Sequence, residues 1–150
     1  MRMLFPIARI MFSLIFITAA PRHFSSEGIG HAISLGVPFA HLLVPLPGIM
    51  AIAGGLSVAL GYKARWGGWV LVAFLVPVTW MMHAYWKQSD RAAFRVQQAM
   101  FAKNLSMLGA ALLITQFGAG RISIDDLKKD RNLPPEAYWK WGLDRCRNVS

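Results

Sequence analysis

The chain has 150 residues, of which 55% are hydrophobic and 15% charged, against about 25% charged in an ordinary soluble domain. A single cysteine, Cys146, excludes both a disulfide framework and a Cys-x-x-Cys redox pair within one chain. A net charge of +9 would suggest nucleic acid for a soluble protein, but the basic residues lie between and after long apolar runs, so anionic lipid headgroups are the expected partner and nucleic acid is not.

Four apolar stretches approach the roughly 20 residues that a helix needs to cross a bilayer core. The first runs from Leu4 to Pro21. Arg2 and Arg9 ahead of Ile10 to Ala20 also admit a cleavable secretory signal, but three remaining spans would break the helical pairing, so a retained span is expected. Arg22 to His41 is too long for a turn and reads either as a short helix at His31 to Leu35, flanked by glycine turns and lying at the interface, or as a plain loop. The second span, Leu42 to Tyr62, repeats small side chains at Ala51, Gly55, Ala59 and at Ala53, Ser57, Gly61, the pattern of a packing seam. A tight turn at Gly61 to Trp66 leads into the third, Trp66 to Trp86, which holds Pro77 and closes on His83. The fourth, Leu105 to Gly118, is the shortest, with Ser106, Gly109 and Ala110 as expected helix contacts.

The expected fold is an all-α integral membrane four-helix bundle with a short interfacial helix between spans one and two. Residues 1–120 form the transmembrane domain and 121–150 a charged tail, in which Pro134 opens a short surface helix carrying Tyr138, Trp139, Trp141 and Leu143. Eleven Lys and Arg on the side of the N-terminus, the Lys63/Arg65 turn and the tail, against five on the other, place both termini in the cytoplasm.

Alternating spans bring the ends of the first and third beside the starts of the second and fourth. Those ends collect Arg22, His23, His41, His83, Tyr85, Trp86, Lys87, Lys103 and Asn104. Ionisable groups at membrane depth point to function by default. Within span three, Trp69, Ala73, Val76, Trp80, His83 and Lys87 recur at helical steps, one face leading from apolar depth to a histidine and a cation. The candidate ligand-binding set is His83, Trp86, Lys103, Asn104, Trp80, Arg22 and His23. Against it stand an interfacial aromatic belt, snorkelling cations, and His83 or Asn104 bonding across helices. No span holds a carboxylate, which disfavours a proton-coupled transporter, and four scattered histidines make no metal site.

Longer phrases carry a likeness: Gly36-Val-Pro-Phe, Gly54-Gly-Leu-Ser-Val-Ala-Leu-Gly-Tyr-Lys-Ala-Arg-Trp-Gly-Gly-Trp, Met82-His-Ala-Tyr-Trp, Phe101-Ala-Lys-Asn-Leu-Ser-Met-Leu-Gly and Gly118-Ala-Gly-Arg-Ile-Ser-Ile-Asp. On these, over about Arg9 to Asp125, the chain resembles the DoxX family of small four-helix bacterial membrane proteins. It departs from that pattern at Ala20-Pro-Arg-His-Phe, and the tail from Leu127 has no counterpart. The resemblance implies a bacterial inner-membrane location and a link to quinone-dependent redox partners, with no agreed catalytic residue. The expected function is a membrane subunit or accessory of a quinone-linked redox system, without its own metal or flavin. In it His83 exchanges a proton, Lys103 stabilises an anion, Asn104 orients the quinone and an electron-transfer partner supplies the rest. The alternative is a non-catalytic scaffold binding lipid or a soluble partner through its tail. A second copy of the chain stays open as a partner.

Overall fold

Apolar runs this long satisfy their backbone groups internally only as helices when lipid replaces water, and the described residues contain no strand. The structure, a computed structural model, describes residues 3–34, 36, 38–120 and 122–131. Helix α1, Leu4–Ala19, continues into a 3-10 turn, Ala20–Phe24, with Pro21 at its start. There follow α2 (Ser26–Ser34), α3 (Ala40–Leu43), α4 (Pro45–Leu60), α5 (Ala64–Met82), a 3-10 turn at Tyr85–Lys87, α6 (Arg91–Phe117) and α7 (Ile124–Arg131). Leu4–Phe24, Ala40–Leu60, Ala64–Lys87 and Arg91–Phe117 are each long and apolar enough to cross a membrane. The protein is therefore an all-α, multi-span membrane protein.

Two elements differ from their expected bounds. The short helix between spans one and two starts earlier and absorbs Gly28 and Gly30, which had read as turn residues. Its start is set by Ser25, whose Oγ accepts from the Gly28 N–H at 3.1 Å, while Glu27 lies in the favoured first turn. A Cβ at Gly28 would collide with the Arg22 carbonyl, so this glycine serves close approach, whereas Gly36, at φ +75°, does make a turn. Span four is the longest helix, 27 residues, where the shortest had been expected. Asp90 Oδ2 accepts from the Ala93 N–H at 2.7 Å and caps α6 at Arg91. The turns that follow, with four Ala, two Arg and two Gln between Arg91 and Asn104, have high helix propensity but little hydropathy, so an apolar run alone does not show them. The surface helix from Pro134 and Cys146 lie outside the described residues.

Close packing runs α1 on α4, α4 on α5 and α5 on α6. The small-residue seam of α4 is real but offset. Gly55 faces Phe16 and Ile17 of α1, and Gly54 faces Leu71 and the Gly67 carbonyl of α5, while Ala53 is exposed. On α6 the seam is Ala111 and Thr115 against Gly68; Gly109 meets nothing within 4 Å. Phe16, Val58, Leu71, Phe74 and Leu75 form the core around these contacts.

One end of the bundle is tied by a charge within span one. Arg9, 8% exposed, donates from Nε to the Ala59 carbonyl at 3.1 Å, from Nη1 to Ala119 at 2.7 Å and from Nη2 to Ile122 at 3.0 Å. Its fork thus satisfies a carbonyl left over in the last turn of α4 and two in the segment between α6 and α7. Alongside, Asp125 accepts from the N–H groups of Lys63 (2.8 Å) and Ala64 (3.1 Å), capping α5, and its own N–H donates to Gly61 at 2.9 Å. Gly61 sits at φ +66° within this knot, where a Cβ would come 2.9 Å from Arg9 Nη1. The start of α1, the α4–α5 turn and the end of α6 therefore share one end.

Candidate functional site

At the opposite end, where α1 and α6 do not pack along each other, a cavity of about 120 Å³ lies between α1, α5 and α6. Four of the residues expected at a site line it: His23, His83, Lys103 and Asn104. Phe16, Phe74, Leu75 and Met107 supply apolar wall.

Each polar group is placed by local structure. The 3-10 turn after α1 carries His23 inward. It sits close on α4 only because residue 48 is glycine, where a Cβ would come 2.8 Å from His23 Cβ and 2.9 Å from the Phe24 ring. The His23 ring stands edge-on to Phe74 with centroids 5.9 Å apart. His83 leaves helical geometry at the end of α5, with φ −120°, and its Nδ1 lies 2.9 Å from Gln97 Oε1 of α6. With that oxygen accepting, Nδ1 carries the proton and Nε2 remains an acceptor. Asn104, on α6, is 5% exposed, and its amide has no hydrogen-bond partner among the described residues, so its polar atoms meet the cavity itself. Lys103 is exposed beside it, held among the described residues by a weak contact from Nζ to Met100 Sδ at 3.4 Å.

Trp80, Trp86 and Arg22 are elsewhere. Trp80 and Trp86 pack at a tilt to each other (5.4 Å between centroids) and against Phe101, and Tyr85 and Phe94 complete a ring cluster against the start of α6. Trp80 is 65% exposed. The face from Trp69 through Val76 to Trp80 is thus the exposed side of α5, and Gly67, Leu71, Phe74 and Leu75 form the buried one. Periodicity found a face but could not tell lipid from protein, because both are apolar. His83 escapes that face because the helix ends there. Arg22 contributes its carbonyl, which accepts from Ser25 Oγ at 2.9 Å, and its side chain is not in the cavity wall.

The sequence does not single out Phe16, Phe74, Met107 and Gln97, ordinary residues for a span, and Arg9 enters it only as a charge ahead of a possible signal segment and in the orientation count. A cation five residues into an apolar run was a usable signal for a buried role. Chemically, the cavity offers one cation, one amide and two imidazoles, with no carboxylate in its wall. It suits an acceptor-rich or anionic group of a few heavy atoms, since a water occupies about 30 Å³ in the liquid and whole drug-sized ligands need about 300 Å³ or more.

Comparison with known proteins adds the family. The SURF4 family profile matches residues 4–131. The chain is 30% identical to the Escherichia coli inner membrane protein YphA over 121 residues, 79% of this chain and 86% of that one. It is 28% identical to the E. coli inner membrane protein YqjF over 123 residues, 81% and 88% of the two chains. Against the Saccharomyces cerevisiae ER-derived vesicles protein ERV29 it is 31% identical over 81 residues, 54% of this chain but 26% of the yeast protein, so it spans about a quarter of that relative. No solved structure matches. The chain belongs to the SURF4 family. This overturns the DoxX resemblance and the quinone-linked redox role expected with it.

Proposed function

Starting from a SURF4-family membrane bundle, we propose that the protein is a binding protein for a membrane-borne amphiphile with a small anionic head, of which a carboxylate is the best fit. The observation that carries this reading is the convergence of His23, His83, Lys103 and Asn104 on one cavity whose wall has no acidic side chain. A carboxylate would accept from Lys103 and from the Asn104 amide, which otherwise has no partner among the described residues. Its hydrocarbon chain would lie along Phe16, Phe74 and Met107 toward the gap between spans one and four. Relatives reside in membranes as different as ER-derived vesicles and a bacterial inner membrane. A task suited to both is holding a ligand dissolved in the bilayer.

By the excess of Lys and Arg near the N-terminus, the hairpin turn and the tail, the Arg9 end faces the cytoplasm and the cavity lies toward the opposite leaflet of the inner membrane. The tail after α7 is then cytoplasmic.

The test is binding of oleate and of oleyl alcohol to the reconstituted protein, wild type against Lys103→Gln and Asn104→Leu, each confirmed to unfold at a temperature near wild type. Oleate binds preferentially, and each substitution weakens it about tenfold, the usual worth of one hydrogen bond to a charged group. Equal binding of acid and alcohol, unaffected by either change, removes the proposal.

A further inference from the structure

The Arg9 end carries a second recess, of about 520 Å³, between the α4–α5 turn and the segment from Phe117 into α7. Lys63, Arg65 and Lys129 line it together with Asp125 and Asp126. The two carboxylates are already engaged: Asp125 on the N–H groups of Lys63 and Ala64 at 2.8 and 3.1 Å, Asp126 on the N–H of Ile122 at 3.4 Å. Among the described residues the three cations form no ion pair within 4.0 Å. Lys63 Nζ lies 5.8 Å from the Tyr62 ring centroid, and the three side chains line a common space. Trp66 and Phe117, which flank that space, are 72% and 78% exposed.

Height in the membrane decides what fits. Span three begins at Ala64 and span four ends at Phe117, so the recess lies where both helices leave the hydrocarbon, at headgroup level. A tryptophan and a phenylalanine exposed at that level offer apolar contact to glycerol and the upper acyl chain. An arginine fork and two lysine point charges are the donors that a phosphate oxygen cluster selects. We infer that Lys63, Arg65 and Lys129 form a binding site for the phosphate of an anionic phospholipid, separate from the cavity at the other end. Free phosphate shares the headgroup chemistry, but it would leave Trp66 and Phe117 uncovered, so the lipid is the occupant.

The full chain is placed in nanodiscs of phosphatidylcholine with a minor fraction of phosphatidylglycerol, and the lipids retained on release are weighed by native mass spectrometry. Phosphatidylglycerol is retained preferentially. In Lys63→Gln/Arg65→Gln/Lys129→Gln its retention falls on the order of a hundredfold, about fivefold for each cation removed. The charge-keeping Lys63→Arg/Lys129→Arg retains it. Should the triple variant fail to fold, Arg65→Gln and Lys129→Gln are read singly for their fivefold losses. The cavity changes Lys103→Gln and Asn104→Leu leave this retention unaltered, so the two sites succeed or fail independently. Equal retention of both lipids overturns the site. So does an equal loss in Lys87→Gln/Arg91→Gln/Arg95→Gln at the far end, and so does displacement of the lipid by inorganic phosphate, which assigns the recess to a free anion.

Discussion

Two buried polar residues do opposite things. Arg9 is fully used: every nitrogen of its guanidinium meets a carbonyl, one in the last turn of α4 and two in the segment between α6 and α7. Replacing it with leucine strands those acceptors, and lysine cannot cover three positions that a planar fork spans. Arg9→Leu and Arg9→Lys should both destabilise the protein by about 3 kcal/mol or more, seen as a lower midpoint of thermal unfolding in detergent. A midpoint unchanged in Arg9→Lys would show that charge alone matters. Asn104 is unused by the fold among the described residues, so Asn104→Leu should leave that midpoint nearly untouched while weakening ligand binding. The sequence marked both residues as polar groups within apolar stretches, but it could not tell which one the fold consumes, because the partners of Arg9 are main-chain carbonyls 50 or more positions away.

Among the elements, glycine spacing was legible and glycine orientation was not. Small residues every fourth position announced that α4 packs closely, yet Gly54, outside both expected stripes, makes the tight contact with α5, while Gly109 of α6 is open. Which small residue faces a helix depends on the crossing, and in lipid the outward face is as apolar as the inward one. The contrast gives a pair of expectations with opposite sign. Gly54→Val puts atoms where even a Cβ would lie 2.8 Å from Leu71 and should cost about 1 to 3 kcal/mol in unfolding. Gly109→Ala, in open space within a helix, should stabilise by about 0.5 to 1 kcal/mol. If both variants destabilise equally, the packing described is wrong. The extent of α6 was hidden for a different reason: its first turns are held by the Asp90 cap and by Phe94 and Phe101 against Tyr85, none of which an apolar run reveals. Asp90→Ala should cost about 1 kcal/mol, read in the same unfolding measurement.

For the whole molecule, four spans and their alternating directions could be read from the lengths of the apolar runs, and with them the gathering of His23, His83, Lys103 and Asn104 at one end. The gap between spans one and four was not, since nothing in a linear pattern says that a bundle is tied by Arg9 at one end and left unpacked at the other. That asymmetry is what opens a cavity beside the polar cluster. If the cavity holds the ligand, a fatty acid bearing a photoreactive group near its carboxylate, irradiated with the reconstituted protein, will label Ile15, Val78 and Met107 in the cavity wall, and Lys103→Gln will reduce that labelling. Labelling spread instead over exposed positions such as Trp69, Leu105 and Leu113, and indifferent to Lys103, would contradict the cavity as a binding site.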